Sequence, residues 1–129
     1  MSKQVEIGAL KTNSVIMIEG EPCRVVSIEK SKPGKHGSAK ARVVAIGIFD
    51  DVKRSIVSPA DSMIESPLVN KRRAQVITVS DMVQLMDSET YEVFETTPPK
   101  DEDLRVRLEP GVEVEYWLIA GKKKIVRTR

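Results

Sequence analysis

The residues best suited to chemistry or recognition lie in one short stretch, Lys30-Ser31-Lys32-Pro33-Gly34-Lys35-His36-Gly37-Ser38-Ala39-Lys40. Pro33 and Gly34 fit the two central positions of a type II turn, where proline presets φ and glycine accepts a positive φ. Lys32 and Lys35 are then the corner residues, and Gly37 gives the chain a second flexible point beyond His36. A tight hairpin tip is predicted, projecting Lys35 with little side-chain bulk around it. An amine exposed in this way is available to a phosphate or to a modifying enzyme. Lys32, His36 and Lys40 add positive potential at distances well inside the Debye length. Lys40 and Arg42 share one face of the outgoing strand, with Ala39, Ala41 and Val43 on the other, so the charge continues down the hairpin. Such a prong can insert between RNA backbones, which repel each other and need a cation between them. The plain alternative is a solvated Pro-Gly hairpin, and on these residues alone the two readings stand close.

The overall charge hides this asymmetry. The 129 residues carry a formal net charge of +2. Yet no acidic residue falls between Glu29 and Asp50, an interval that holds Lys30, Lys32, Lys35, Lys40 and Arg42. A second acid-free stretch follows Glu115 and holds Lys122, Lys123, Lys124, Arg127 and Arg129. Clusters of this kind, not the total, set the field that a polyanion meets; ordinary solvated charge runs are the alternative.

Catalysis finds little support. His36 is the only histidine, so neither a metal cluster nor a catalytic group can draw on several of them. Asp50-Asp51 and Asp101-Glu102-Asp103 are adjacent carboxylates without a partner base or metal-ligand spacing, and they read as a turn and a loop or helix start. There is no phosphate-cradling glycine loop. Cys23 cannot form an internal disulfide and reads as a plain strand position in a cytoplasmic protein. No apolar run approaches the roughly 20 residues needed to span a bilayer, and the start, Met-Ser-Lys-Gln-Val-Glu, lacks the apolar stretch of a secretory signal.

The elements that must position the loop read as mostly β. Val, Ile and Thr are frequent, and short apolar runs alternate with turn residues. The predicted strands are Val15–Ile18, Cys23–Glu29, Ala39–Phe49, Ser55–Ser58, Ala74–Val79, Val83–Met86, Tyr91–Phe94 and Val112–Ile119. In the last, Val112, Val114, Tyr116 and Leu118 point one way and Glu113, Glu115 and Trp117 the other. Trp117 is thus a lid over the core or a stacking platform, with the lid favoured. The stretch 98–110 stays open between a short helix begun by its acids and a strand with Leu104, Val106 and Leu108 alternating. A boundary near Ser66-Pro67-Leu68-Val69-Asn70 divides the chain into halves of about 60 to 70 residues, for which closed barrels are the natural solution.

The loop Lys32-Pro33-Gly34-Lys35-His36-Gly37-Ser38-Ala39-Lys40 resembles the modification loop of the translation initiation factor 5A family in its archaeal form. The second half is similar to the family's C-terminal domain, from Ala74-Gln75-Val76-Ile77 through Asp81-Met82-Val83-Gln84-Leu85-Met86-Asp87 to Glu89-Thr90-Tyr91-Glu92. The resemblance implies an all-β fold, with an N-terminal SH3-like barrel over 1–69 and a C-terminal OB-fold barrel over 70–129. It implies a non-enzymatic factor that binds the ribosome and peptidyl-tRNA and promotes peptide-bond formation at stalled sites such as consecutive prolines. Lys35 would carry a spermidine-derived aminobutyl group, placed there by deoxyhypusine synthase, as deoxyhypusine or hypusine. Lys32, Pro33, Gly34, His36, Gly37, Ser38, Lys40 and Arg42 would form the RNA and tRNA contact loop around it. No metal or other cofactor is implied, and the factor is expected as a monomer, with a dimer the alternative. Ser38 stands where eukaryotic members usually have histidine, and Pro33 where they commonly have threonine. A Pro-Gly-Lys tip is also similar to bacterial elongation factor P, but His36-Gly37 and the two-domain length differ from that three-domain protein. A general RNA-binding module without lysine modification is the competing reading.

Overall fold

The computed structural model describes residues 2–31 and 39–129. The chain divides into two compact units, Met1–Leu68 and Val69–Arg129.

The first unit is built on β2 (Val15–Ile18), β3 (Glu21–Ser31), β4 (Lys40–Gly47) and β5 (Lys53–Pro59), paired antiparallel in that order. A two-stranded sheet of β1 (Ser2–Glu6) and β6 (Met63–Pro67) accompanies it. Ser66 of β6 donates through Oγ to the Val15 carbonyl at 2.8 Å, linking the two sheets. The turn between β2 and β3 has positive φ at both central residues, Glu19 (53°) and Gly20 (80°), the geometry that matches the natural twist of a two-residue hairpin. The core is Ile7, Leu10, Ile16, Ile18, Cys23, Val25, Ala41, Val43 and Ala45. Cys23 is a buried strand residue, and burial pushes its thiol pKa up.

The second unit is one five-stranded antiparallel sheet in the order β11-β10-β7-β8-β9. Its strands are β7 (Val69–Val79), β8 (Val83–Asp87), β9 (Val93–Thr96), β10 (Glu113–Ile119) and β11 (Lys122–Thr128). The two edge strands approach each other where Thr96 Oγ1 donates to the Lys123 carbonyl at 3.2 Å. Joining edges in this way removes exposed ladder groups. The expected all-β pair of small barrels is therefore the architecture observed.

The structure also adds to the expected elements. Among the described residues there are eleven strands, and β1, β6 and β11 were not anticipated. Tyr91 lies outside β9, in a left-handed turn (φ 62°). Segment 98–110 resolves as a helix, α1 (Glu102–Arg105), whose Asp101 side chain accepts from the Leu104 N–H at 3.3 Å. Leu104 packs on the core and Leu108 is buried, while Val106 is 68% exposed. Inward residues four apart with the middle one outward are the mark of helix, not of strand alternation.

One polar group sits in the second core. Asp87 is 2% exposed and accepts from Arg72 Nε at 2.7 Å, Tyr116 Oη at 2.6 Å, and the N–H groups of Glu89 and Thr90 at 2.8 and 2.9 Å. The Arg72 guanidinium holds its carboxyl well below the usual carboxylate range against the cost of burial, helped by the Tyr116 and backbone donors. Burial, and then the bond to Asp87, push the Tyr116 phenol up to about 12. Asp87→Asn would leave Arg72 without its carboxylate and set an amide against backbone donors. Arg72 keeps 23% of its side chain exposed, so the expected loss is about 2–4 kcal/mol, below the range for a fully enclosed pair. A carboxyl depressed in the fold stabilises only while ionised. The gap to wild type should thus be full above about pH 4 and close as the pH falls further. Urea unfolding of the second unit, followed by Trp117 emission across that range, measures both.

Candidate RNA-facing hairpin

The hairpin that carries the basic loop is held from both sides. Ser31 at the end of β3 pairs with Lys40 at the start of β4, and Lys40 pairs in turn with Pro59 of β5. The Ala60 N–H donates to the Ala39 carbonyl at 2.8 Å, so hydrogen bonding on the β5 side continues to Ala39. Behind it, the Gly8 N–H bonds the Ala60 carbonyl at 2.8 Å. A Cβ at Gly8 would stand 2.9 Å from that same oxygen, so close approach requires glycine there.

Alternation along β4 then sorts the side chains. Ala41, Val43 and Ala45 are fully buried, while Lys40 and Arg42 are exposed, as the sequence pattern required. Across the outer face, Arg42 lies between Glu29 of β3 and Val57 of β5; Val57 is 63% exposed. No ion pair ties Lys30, Lys40 or Arg42 to another described residue. Lys32, Pro33, Gly34, Lys35, His36, Gly37 and Ser38 lie outside the described residues, and with them the expected type II turn and the Lys35 tip.

The second acid-free stretch has a different fate. Arg127 lies 3.6 Å from Glu115, and Arg129 lies 3.7 Å from Glu113 and 3.6 Å from Glu115. Lys123 sits 4.1 Å above the Phe94 ring and 3.6 Å from Glu92. The pairing of β11 with β10 thus brings in Glu113 and Glu115, and the approach of β11 to the β9 edge brings in Glu92, acids that chain order had kept apart. Trp117 takes the outward face expected of it; its Nε1 donates to Glu115 at 3.0 Å, and Lys71 Nζ lies 5.1 Å from its ring centroid.

The paired carboxylates have structural partners. Asp50 accepts from Arg54 at 2.9 and 3.2 Å and from the Val52 N–H at 3.1 Å. The Arg54 bond, chiefly, holds its carboxyl at about 2. Asp101 caps α1. Among the described residues, no group of three or more His, Cys, Asp or Glu is placed to hold a metal ion, and no helix is long and apolar enough to cross a membrane.

These features define a two-domain, all-β protein with a basic hairpin in its first half and an OB fold as its second. Residues 2–62 match the family described as "Translation initiation factor 5A-like, N-terminal". Residues 68–129 match "Eukaryotic elongation factor 5A hypusine, DNA-binding OB fold". Translation initiation factor 5A of Hyperthermus butylicus is 54% identical over 124 residues, covering 95% of this chain and 91% of that one. The Korarchaeum cryptofilum protein of the same name is 56% identical over 123 residues, covering 95% and 92%. In three dimensions the chain is similar to translation initiation factor 5A from Methanococcus jannaschii, with TM-score 0.91, 49% identity, and coverage of 99% and 95%. A Naegleria fowleri protein of the same family superposes with TM-score 0.80 at 26% identity, covering 99% and 98%. The chain belongs to the translation initiation factor 5A family.

Since Lys40 and Arg42 have no ion-pair partner among the described residues, the fold should not depend on them. Lys40→Ala and Arg42→Ala are each expected to change stability by less than about 0.5 kcal/mol. Thermal unfolding of the single and double variants checks this.

Proposed function

We propose that this protein binds the ribosome and promotes peptide-bond formation at stalled sites, consecutive prolines among them, by stabilising peptidyl-tRNA through a modified Lys35. The observation that carries the reading is the hairpin stem. Two neighbouring strands hold β4 in register, its cations Lys40 and Arg42 are exposed with no ion-pair partner among the described residues, and in the sequence Lys32 to Ser38 lie between β3 and Ala39. The hypusine named in the family description of the second half supports the same reading.

The chemistry is consistent with the residue. Transfer of the aminobutyl group of spermidine to Lys35 Nζ forms one C–N bond and breaks another, and the rest of spermidine leaves as 1,3-diaminopropane. The product side chain is longer by four carbons and bears a second amine. Two cationic nitrogens on one arm can bridge successive phosphates or hydroxyls, where plain lysine offers a single point charge. In this reading, bond making stays with the ribosome and the factor contributes position, which is worth several kcal/mol when reacting groups are held in near-attack geometry. Lys32, His36, Lys40 and Arg42 would supply the surrounding field, with Pro33, Gly34, Gly37 and Ser38 shaping the loop. Deoxyhypusine synthase is the implied modifying partner.

Native protein should be heavier than its sequence by one aminobutyl group on Lys35, seen by intact mass and peptide mapping; a bare-chain mass from a cell with the modifying enzyme would defeat the modification claim. Lys35→Arg keeps the charge but cannot accept the transfer. It is expected to fold normally and to lose stimulation of proline-rich synthesis by at least about tenfold. Wild-type stimulation by that variant in a reconstituted translation assay would count against the proposal.

Lys40→Ala together with Arg42→Ala should weaken ribosome binding most visibly at low salt, the gap to wild type closing as salt is raised. Two lost phosphate contacts should lower the log–log salt slope by about 1.4 on single-stranded RNA and about 1.8 on a duplex. A salt series of equilibrium binding measures it.

A further inference from the structure

OB folds ordinarily take ligands on the face of their second and third strands, here β8 and β9. In this chain that face does not suit a polyanion. Val83, Leu85 and Asp87 of β8, and Phe94 and Thr96 of β9, turn toward the core, so the outward residues are Gln84, Met86, Val93 and Glu95. They include one acid and no cation.

The outer face of β7, β10 and β11 is different. Strand register lays Lys71, Trp117 and Lys124 in one row and Arg73, Glu115 and Arg127 in the next. The guanidinium of Arg129 closes over Glu113 and Glu115. Lys71, Arg73, Arg127 and Arg129 thus share the face with Glu113 and Glu115, four cations against two carboxylates, an excess of two positive charges before Lys124 is counted. Arg73 and Arg127 are 58% and 62% exposed at their side chains. The acids hold the arginines in place without cancelling them.

Trp117 gives this face its geometry. Its indole N–H is fixed by Glu115, and Lys71 lies over the ring. A cation resting on an aromatic face stays close to it without losing its positive charge. Lys71 is therefore held at a defined position on the sheet, and one side of the indole is already occupied.

We propose that the outer face of β7, β10 and β11 is a second RNA-binding surface, which grips the phosphate backbone through Lys71, Lys124, Arg73 and Arg127, with Trp117 as the platform that positions Lys71. The surface reads no base and needs no modified lysine. It extends the RNA-directed role proposed for the hairpin and rests on that reading only for the class of ligand.

Trp117 is the only tryptophan, so its emission reports on this face directly. The full-length protein is titrated with labelled poly(U) RNA at several salt concentrations, following both RNA anisotropy and Trp117 emission. Lys71→Gln with Lys124→Gln, Trp117→Phe, and Lys40→Ala with Arg42→Ala are run alongside, with thermal unfolding as the folding control. RNA should alter Trp117 emission in the wild type. The Lys71/Lys124 variant should bind about tenfold more weakly at low salt, with the log–log salt slope reduced by about 1.4, two contacts at about 0.7 each on a single strand. Trp117→Phe should stay within about twofold, because phenylalanine still seats the lysine.

Unchanged affinity and slope in the folded Lys71/Lys124 variant would overturn the proposal; if the hairpin variant weakens in the same series, the reading of the hairpin stands without it. Weakening in the Lys71/Lys124 variant but not in the hairpin variant upholds this face and removes the hairpin stem from RNA binding. Equal affinity for poly(U) and polyglutamate would overturn the RNA assignment in favour of an acidic polypeptide.

Discussion

The hairpin depends on the pairing of β4 with a strand on each side. Lys40 is matched with Ser31 on one side and Pro59 on the other, and the ladder continues down to Ile46. Because side chains alternate with a period of two, a slip of one residue would drive Lys40 and Arg42 into the core and expose Ala41 and Val43. Burial of Ala41, Val43 and Ala45 in a tight cluster with Cys23, Val25 and Ile16 forbids that slip. The same alternation that builds the first core therefore aims the cations. A β-bulge in β3 between Val25 and Ser27 shifts the register partway along, and such a shift adds local twist to the strand that leads into the loop.

The second half solves a different problem with a polar centre. Asp87 ends β8, accepts from the turn that follows it, and binds Arg72 of β7 and Tyr116 of β10. One carboxylate thereby ties three strands and a turn. A buried charge is costly unless its hydrogen bonds are complete, and here five donor groups from four residues converge on it. Phe94 adds to the same corner, 5.0 Å from the Tyr116 ring at an interplanar angle of 54°, an arrangement in the favourable tilted range.

What the sequence could show follows from what each feature depends on. Local features were readable: alternation in β4 and β10, and the all-β character. Features set by residues far apart in the chain were not. Asp87 carries no local signal, because its partners lie 15 and 29 residues away. Strand β11 was hidden by its charge, since Lys122-Lys123-Lys124 reads as a solvated run; the signal that could have found it is Ala120-Gly121, whose φ values of 50° and 80° make a two-residue hairpin. Strands β1 and β6 pair only with each other and carry few apolar residues. The helix at Glu102 was left open because four residues are too few for periodicity to decide, and its Asp101 cap was the better signal.

The two acid-free stretches show why charge clustering along a chain and charge clustering in space differ. In the first, Lys40 and Arg42 are matched with Ser31, Pro59, Glu29 and Val57, of which only Glu29 is charged. Their field is left to act outward over roughly a Debye length, about 8–10 Å at ordinary salt. In the second, the basic strand is paired with one that alternates Glu113, Glu115 and Trp117 outward, and the acids restrain arginines that would otherwise sample many rotamers. Restraint and neutralisation are separable, because two carboxylates can orient more cations than they cancel. A face built in this way holds its guanidinium groups ready while keeping a positive excess. A long side chain without such a restraint, such as Lys40, instead loses rotamer entropy when it meets a phosphate. The two halves therefore offer the same charge in two physical forms, one reaching and one preorganised.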